Sequence, residues 1–191
     1  MGSSLMNVLV LGIGNILLKD EGVGVMLIEA VEQGFVIPDG VELLDGGTAG
    51  IELLDHIRGR KLLVIVDAMR NGHPPGAVYR VAGEDVSAAF MTNISPHQLG
   101  ISNLLATAQL TDSLPERIVL FGIEPADIST GLGLSEPVAK GLEKLVREVV
   151  KELADNGYHL ARRDGDASQP PGYWTDKNVF ENLEKEAAND V

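Results

Sequence analysis

The sequence predicts a single α/β domain of three layers, α/β/α, with a mainly parallel, twisted sheet in the centre. Three observations predict this fold class. Short apolar runs alternate along the chain with stretches of helical spacing, which is typical of a sheet covered by helices. Residues 61–68 contain an unbroken series of Leu, Val and Ile, as expected for a strand buried on both faces. Glycine contributes 22 of the 191 residues, which suits many tight turns between strands and helices.

The first half of the chain predicts three strands that each lead into a helix or loop. The apolar run at residues 8–11 is the first strand, and residues 25–33 have the spacing of the first helix. Residues 41–44 predict a short second strand, and helical spacing follows at residues 51–57. The third strand, at residues 61–68, is the clearest of the chain.

The second half of the chain continues the alternation. Residues 77–81 alternate weakly and predict an edge strand, whereas the pattern of residues 86–94 is ambiguous. Ser95 predicts the N-cap of a helix that has Pro96 at its first position. Residues 117–123 predict a late strand.

A long amphipathic helix with Ser135 as its N-cap is predicted to close the domain. Its apolar stripe consists of Val138, Leu142, Leu145, Val146, Val149 and Leu153. The sequence becomes acidic and loses its regular pattern after Arg163. We therefore predict one α/β domain at residues 5–160, followed by an acidic, partly ordered C-terminal extension at residues 161–191.

Length and composition restrict the class of protein. A chain of 191 residues, 45% of them apolar, can form one domain with a substantial core. The formal charge of −13 argues against a nucleic-acid partner, which would require a basic face. The absence of cysteine excludes disulfides, thiolate metal sites and a cysteine nucleophile. No apolar run has the length of a transmembrane helix and no secretory leader is evident, so we expect a cytoplasmic protein without membrane insertion.

The glycine-rich loop at residues 12–24 has three interpretations. A dinucleotide-binding turn needs glycine or alanine where this chain has Leu17, so that fingerprint fails. A phosphate-binding P-loop needs Gly-Lys-Ser/Thr at its end, which is absent. The third interpretation is a site that uses the adjacent carboxylates of Asp20 and Glu21, near the positive end of the following helix. A tight turn with solvated charges is the simpler alternative, and it stays open at this point.

Acidic residues follow or end all three of these predicted strands. Asp20 and Glu21 follow the first strand, Asp45 the second and Asp67 ends the third. Ligands of open parallel sheets bind outside the carboxyl ends of the strands, so these acids can share one crevice. His97 lies in the first turn of a later predicted helix. Each of these residues, taken alone, also fits a cap, a turn or a solvated surface position.

Two carboxylates and one imidazole from this set have the chemistry of a metal site. The helix N-terminus near His97 disfavours the imidazolium form, and neutral imidazole is the form that binds metals. Glu21 and Asp67 would add oxygen ligands and offset the charge of the ion. This donor set suits a divalent ion such as nickel or zinc, with positions left open for water or substrate. The other histidines lack acid-rich surroundings and are expected at the surface: His56, His73 and His159.

Motifs for nucleophilic catalysis are missing from the chain. There is no G-x-S-x-G elbow around a serine and no H-E-x-x-H helix. If the protein is a hydrolase, we expect water to be the attacking group, activated by a metal ion or by a carboxylate acting as base.

Four blocks of the sequence, in this order and spacing, resemble the hydrogenase maturation endopeptidases. They are Gly12-Ile13-Gly14-Asn15-Ile16-Leu17 with Asp20-Glu21-Gly22-Val23-Gly24, then Asp45-Gly46-Gly47-Thr48-Ala49-Gly50, then Val66-Asp67-Ala68, and then Ser95-Pro96-His97-Gln98. The resemblance covers residues 7 to 155, and the four blocks together are specific where any single block would not be. It implies an endopeptidase that removes a short C-terminal peptide from the precursor of the nickel-iron hydrogenase large subunit, after nickel has been inserted.

The resemblance also implies a metal-contact role for three residues. Glu21, Asp67 and His97 match the positions through which the family contacts the metal. The nickel is expected to be carried by the precursor rather than held by the protein itself, with zinc or cadmium able to substitute in vitro.

The base and the substrate contacts are expected nearby. A carboxylate, either Asp20 or Asp45, is expected to act as the base. The loop Gly46-Gly47-Thr48 is expected to bind the substrate and to offer backbone donors to its chain or to a developing oxyanion. Two alternatives from other classes remain, a non-catalytic nickel-binding maturation chaperone on the same fold and a Rossmann-type nucleotide-binding enzyme.

Overall fold

The computed structural model describes residues 7–92 and 96–163, without the side chains of residues 91, 92, 96 and 97. The strands are β1 (Val8–Ile13), β2 (Phe35–Val36), β3 (Val41–Gly47), β4 (Leu62–Ala68), β5 (Val78–Ala82), β6 (Arg117–Ile123) and β7 (Ala161–Arg162). The helices are α1 (Val23–Gly34), α2 (Leu54–Ile57), α3 (Asp85–Thr92), α4 (Pro96–Leu110) and α5 (Glu136–Asp155). Short 3₁₀ turns at Lys19–Gly22 and Ile51–Leu53 lead into α1 and α2.

Five strands form the central sheet, in the order β3-β1-β4-β6-β5. The first four are parallel, and β5 pairs antiparallel with β6 at one edge. Helices cover both faces, so the predicted three-layer α/β/α fold and the predicted edge strand are confirmed. Strand β3 continues beyond its predicted end at residue 44, because Gly47 still pairs with Ile13 across a shift of register.

The two central strands, β1 and β4, are buried at every position. Their side chains alternate between the faces of the sheet with the period of two that a strand imposes. In β1, Val8 and Val10 pack in the layer of α1 and α5, whereas Leu9 and Leu11 pack in the layer of α2, α3 and α4. Burial on both faces explains why these strands appear in the sequence as continuous apolar runs.

The predicted apolar faces of the long helices are confirmed. In α4 the buried side chains are Ile101, Leu104, Leu105 and Ala108, and in α5 they include Val138, Leu142, Leu145, Val149 and Leu153. The ambiguous segment at residues 86–94 is helical as far as Thr92, and α3 buries Val86 and Phe90 in the core. The predicted N-cap of α4, Ser95, lies outside the described residues.

The start of the predicted C-terminal extension pairs with the domain. Strand β7 forms a two-stranded antiparallel ribbon with β2. The guanidinium Nε of Arg163 also donates hydrogen bonds to the backbone carbonyls of Glu32 and Phe35. Residues 164–191, the greater part of that extension, lie outside the described residues. None of the helices in the described part is long and apolar enough to cross a membrane.

An ion pair joins α5 to the edge strand β5. Arg80 donates two hydrogen bonds to the carboxylate of Glu152, at 2.8 and 3.1 Å, and Arg117 lies 3.8 Å away. The side chain of Glu152 is only 9% exposed. These hydrogen bonds, above all those from Arg80, lower the pKa of Glu152 from its ordinary value of 4.5 in spite of burial.

Replacing Glu152 by glutamine is therefore expected to lower the free energy of unfolding by roughly 1–3 kcal/mol at pH 7. A carboxyl whose pKa is lower in the folded state stabilises the fold above its unfolded pKa, and this contribution is lost as the pH falls through the folded value. The difference between wild type and Glu152→Gln should thus shrink when denaturant unfolding is repeated below pH 4.5. Glu143→Gln, an exposed change on the same helix, should cost much less, and an equal cost for the two variants would contradict the assignment.

Candidate active site

The order of the strands creates a crevice between β1 and β4. From β1 the chain passes through α1 on one face to reach β3 at the edge. From β3 it passes through α2 on the other face and returns beyond β1 to form β4. The chain thus leaves β1 towards α1 on one face, and it leaves β4 towards α3 and α4 on the other face. Such a switch point opens a ligand crevice at the carboxyl ends of the strands.

Glu21 lies at this crevice because its 3₁₀ turn is held against the end of β1. Gly14 has φ of +139°, and a Cβ atom there would come within 1.6 Å of the carbonyl oxygen of Glu21. Gly24, at the start of α1, approaches so closely that a Cβ atom would lie 2.5 Å from the carbonyl oxygen of Val66. Glycine at both positions lets the turn and the helix start lie directly on the strand ends. Glu21 itself is 8% exposed.

Asp67, the next-to-last residue of β4, directly follows Val66 and is fully buried. Its Oδ2 accepts a hydrogen bond of 3.3 Å from Nε2 of Gln98, which also donates to the carbonyl of Ala68 at 3.2 Å. Because Gln98 belongs to the first turn of α4, these bonds attach the start of that helix to the end of β4. The structure therefore brings Glu21, Asp67 and the first turn of α4 to one corner of the sheet.

His97 precedes Gln98 in the same turn of α4, but its side chain lies outside the described residues. The described side chains alone contain no cluster of three His, Cys, Asp or Glu residues that could hold a metal ion. The metal-contact role of Glu21, Asp67 and His97 thus stays a prediction. The backbone segments that carry these three residues lie near one another.

Asp20 has a different environment from its neighbour Glu21. It is fully buried and accepts four hydrogen bonds, from the backbone N–H groups of Ala126, Asp127 and Ser135 and from the hydroxyl of Ser135, at 2.7–2.9 Å. These bonds attach the 3₁₀ turn to the loop between β6 and α5. Asp20 therefore anchors this loop to the turn, and its predicted role as a base stays a prediction.

The residue before α5, Ser135, is the hydrogen-bond partner of Asp20. Ser135 is the N-cap residue, as predicted, but its side chain makes no capping bond to the helix. The hydroxyl donates to Asp20 instead. The prediction placed the residue correctly and missed its partner, which lies more than a hundred positions away in the sequence.

The residues predicted as a substrate loop begin inside β3, because Asp45, Gly46 and Gly47 still belong to that strand. The N–H of Gly14 donates to the carbonyl of Gly47 at 2.8 Å, which holds the loop to the end of β1. Asp45 is exposed, and its Oδ1 accepts a 2.8 Å hydrogen bond from the N–H of Gly47. Gly46 is buried and Thr48 is exposed. The predicted substrate loop therefore lies beside Gly14 at the end of β1, and its role in substrate binding stays a prediction.

Sequence reasoning missed three polar residues near this edge: Gln98, Glu124 and Tyr79. Glu124 follows β6 and accepts hydrogen bonds from the N–H groups of Asn71 and His73 at 2.7 and 3.1 Å, so it holds the loop after β4. Burial, followed by the nearby charges of Glu124 and Asp67, raises the pKa of Tyr79 well above its ordinary value. An acid at a strand end was a signal for Glu124, and Gln98 stood in the block Ser95-Pro96-His97-Gln98 without a role assigned to it. No sequence signal marked Tyr79. The histidines expected at the surface, His56, His73 and His159, are all exposed.

Two glycines set the distance between the substrate loop and α4. A Cβ atom at Gly50 would lie 3.0 Å from the Cα of Gly100, and a Cβ atom at Gly100 would lie 3.2 Å from the Cα of Gly50. The two backbones are therefore in direct contact, and any side chain between them would push the loop away from the helix.

Gly100→Ala is expected to reduce kcat/KM several-fold while the melting temperature stays the same or rises. Alanine favours the helix by up to about 1 kcal/mol over glycine, but its methyl group displaces the loop by a few tenths of an ångström. The matched control is Gly34→Ala in α1, where a Cβ atom would meet nothing within 4 Å. Equal activity of the two variants, compared by peptidase assay and thermal unfolding, would show that the spacing is unimportant.

Comparison with known proteins agrees with this geometry. A family model described as hydrogenase maturation protease matches residues 25–152. The hydrogenase 2 maturation protease of Escherichia coli K12 is 40% identical over 160 residues, which cover 83% of this chain and 98% of that protein. The chain belongs to the hydrogenase maturation protease family. Further similarity extends to the hydrogenase expression/formation protein HoxM of Azotobacter vinelandii, at 39% identity over 85% of this chain and 80% of the relative.

Solved structures of the family have the same fold. The hydrogenase maturating endopeptidase HybD of Escherichia coli superposes with a TM-score of 0.80 at 40% identity, covering 82% of this chain and 98% of the other. The maturation protease HybD of Thermococcus kodakarensis gives a TM-score of 0.62 at 30% identity, covering 78% of this chain and 99% of the other. The protein is accordingly a peptide hydrolase of hydrogenase maturation, and the crevice between β1 and β4 is its candidate active site.

Proposed function

We propose that this protease removes a C-terminal peptide from the precursor of the nickel-iron hydrogenase large subunit after nickel insertion. The nickel belongs to the precursor and is part of the substrate. Glu21, Asp67 and His97 contact it and thereby recognise a precursor that is ready for cleavage. Membership of the maturation protease family supports the reaction class, and the residues at the crevice support the contact with the metal.

The observation that carries this proposal is that the turn with Glu21 leads into a helix start packed against Val66, the residue before Asp67. Glu21 is 8% exposed and Asp67 is fully buried, so both carboxylates lie at the inner part of this edge rather than on the open surface. Gln98 attaches the first turn of α4 to Asp67, and His97 is the preceding residue of that turn. Two carboxylates and an imidazole are a donor set that suits a divalent ion such as nickel, and zinc or cadmium could take its place in vitro.

The chemistry of the proposed cleavage is hydrolysis of one peptide bond by water. Contact with the substrate's nickel holds the precursor tail so that the scissile carbonyl lies in the crevice. Water adds to the carbonyl carbon and gives up a proton to a base. The C–N bond then breaks, and the leaving nitrogen takes a proton and departs as an amine.

The substrate loop supplies the remaining groups. Backbone N–H groups of Gly46-Gly47-Thr48 are proposed to hold the substrate chain or the developing oxyanion. Of the two carboxylates expected to act as base, Asp45 is the exposed one at the crevice, whereas Asp20 is buried and holds a loop. We therefore assign proton acceptance to Asp45.

The experiment that tests the proposal is incubation of the purified protease with the large-subunit precursor, in nickel-loaded and nickel-free forms. Mass spectrometry should detect a released C-terminal fragment from the loaded precursor alone. A nickel-binding chaperone would bind the loaded precursor and release no fragment, and that result would overturn the proposal. Tight binding of a nucleotide would favour the Rossmann-type alternative, against which the Leu17 position of the glycine loop already argues.

A further inference from the structure

Exposed apolar side chains surround the crevice. Among the described residues, six large hydrophobic side chains are exposed, and three of them, Leu17, Ile51 and Leu99, follow or adjoin the carboxyl ends of the sheet strands. Their exposed fractions are 57%, 46% and 52%. Single exposed leucines are ordinary on a protein surface, but three that flank one crevice of a peptidase call for a partner.

The segments that carry the three side chains lie towards opposite faces of the sheet. Leu17 lies on the face of the sheet that α1 and α5 cover. Its backbone carbonyl accepts a hydrogen bond from the N–H of Gly131 in the loop before α5. Ile51 and Leu99 lie towards the opposite face, since each directly adjoins one of the two glycines, Gly50 and Gly100, whose backbones touch. We call this set of three residues the apolar rim.

We propose that the apolar rim docks an apolar segment of the precursor polypeptide on either side of the metal contact. The inference deepens the proposed function and rests on it, because the occupant is the same precursor. The rim is continuous with the candidate active site: a peptidase must receive a polypeptide at its crevice, and the rim residues adjoin segments on either side of that crevice. The buried carboxylates recognise charge, whereas the rim binds apolar groups, so the two contacts are chemically independent.

The rim is expected to act on binding more than on the chemical step. Covering the exposed half of a leucine side chain accounts for about a tenfold change in affinity. Leu99→Ser should therefore raise KM for the nickel-loaded precursor about tenfold and leave kcat nearly unchanged. Ile51→Ser should act in the same direction from the neighbouring 3₁₀ turn.

The matched control is Leu110→Ser, at the far end of the same helix α4, where the side chain is 88% exposed. This change should leave KM, kcat and the melting temperature as they are in the wild type. All three variants alter exposed side chains, so equal melting temperatures should show that each is folded. The measurement is initial-rate processing of the loaded precursor, followed by mass spectrometry of the released fragment.

Each result bears on a separate claim. If the wild type cuts the precursor and neither Leu99→Ser nor Ile51→Ser raises KM, the inference is wrong while the proposed function stands. If the wild type releases no fragment, both fail. If sedimentation shows that the wild type self-associates and that Leu99→Ser makes it monomeric with an unchanged KM, the rim binds a second copy of this chain, and the inference is again wrong.

Discussion

Replacing Glu21 by glutamine is expected to abolish processing of the nickel-loaded precursor, with a loss of about 100-fold or more in kcat/KM. Glutamine has nearly the same shape but lacks the negative charge that offsets the metal ion. Asp67→Asn should have an effect of the same size, because Asp67 is the second carboxylate at that corner. The rate of fragment release, measured by mass spectrometry, is the readout.

The expected loss must come from the site and not from unfolding. The backbone carbonyl of Glu21 lies against Gly14, and this contact is kept in Glu21→Gln, so the turn should stay in place. The matched control is Glu32→Gln, an exposed change in α1 that should keep full activity. Normal processing by Glu21→Gln and Asp67→Asn together would remove the metal-contact role from these residues.

The second large effect is expected at Asp20, and it concerns stability first. In Asp20→Asn an amide NH₂ group replaces one of the oxygens that accept hydrogen bonds from Ala126, Asp127 and Ser135. Buried donors then lose their acceptor, which should cost roughly 3–5 kcal/mol of unfolding free energy. Denaturant unfolding of the purified variant measures this cost.

The variant Ser135→Ala tests whether Asp20 holds the loop before α5 or acts as the catalytic base. It removes one of the four bonds to Asp20 and should cost roughly 1 kcal/mol, with a partial loss of activity as the turn carrying Glu21 loosens. The effects of Asp20→Asn and Ser135→Ala should not add in the double variant, because the two side chains share one bond. A wild-type melting temperature in Asp20→Asn, combined with complete loss of activity, would instead identify Asp20 as a catalytic base.

The fold could be predicted because its signals are local and repeated. Continuous apolar runs marked β1 and β4 as strands buried on both faces, and the stripe of α5 marked its buried side. The glycine-rich loops marked turns where the backbone has to approach another strand closely. Only residues 86–94 stayed ambiguous, since a short apolar stretch fits either a helix or a strand.

The candidate site could be predicted only in part, because adjacent residues in the sequence have different partners in space. Asp20 and Glu21 are chemically similar neighbours, yet one holds the loop before α5 and the other lies at the crevice. The contact of Gly50 with Gly100 and the bond from Gln98 to Asp67 join distant segments. No local pattern encodes such pairs, so they appear only when the chain is folded.

The most direct test of the account is X-ray absorption at the nickel edge of the loaded precursor, alone and freeze-quenched after mixing with the protease. We predict that nickel gains oxygen and nitrogen ligands on mixing with the wild type, and that Glu21→Gln removes part of this change. An unchanged nickel environment in a mixture that still releases the C-terminal fragment would contradict the claim that this protease contacts the metal of its substrate.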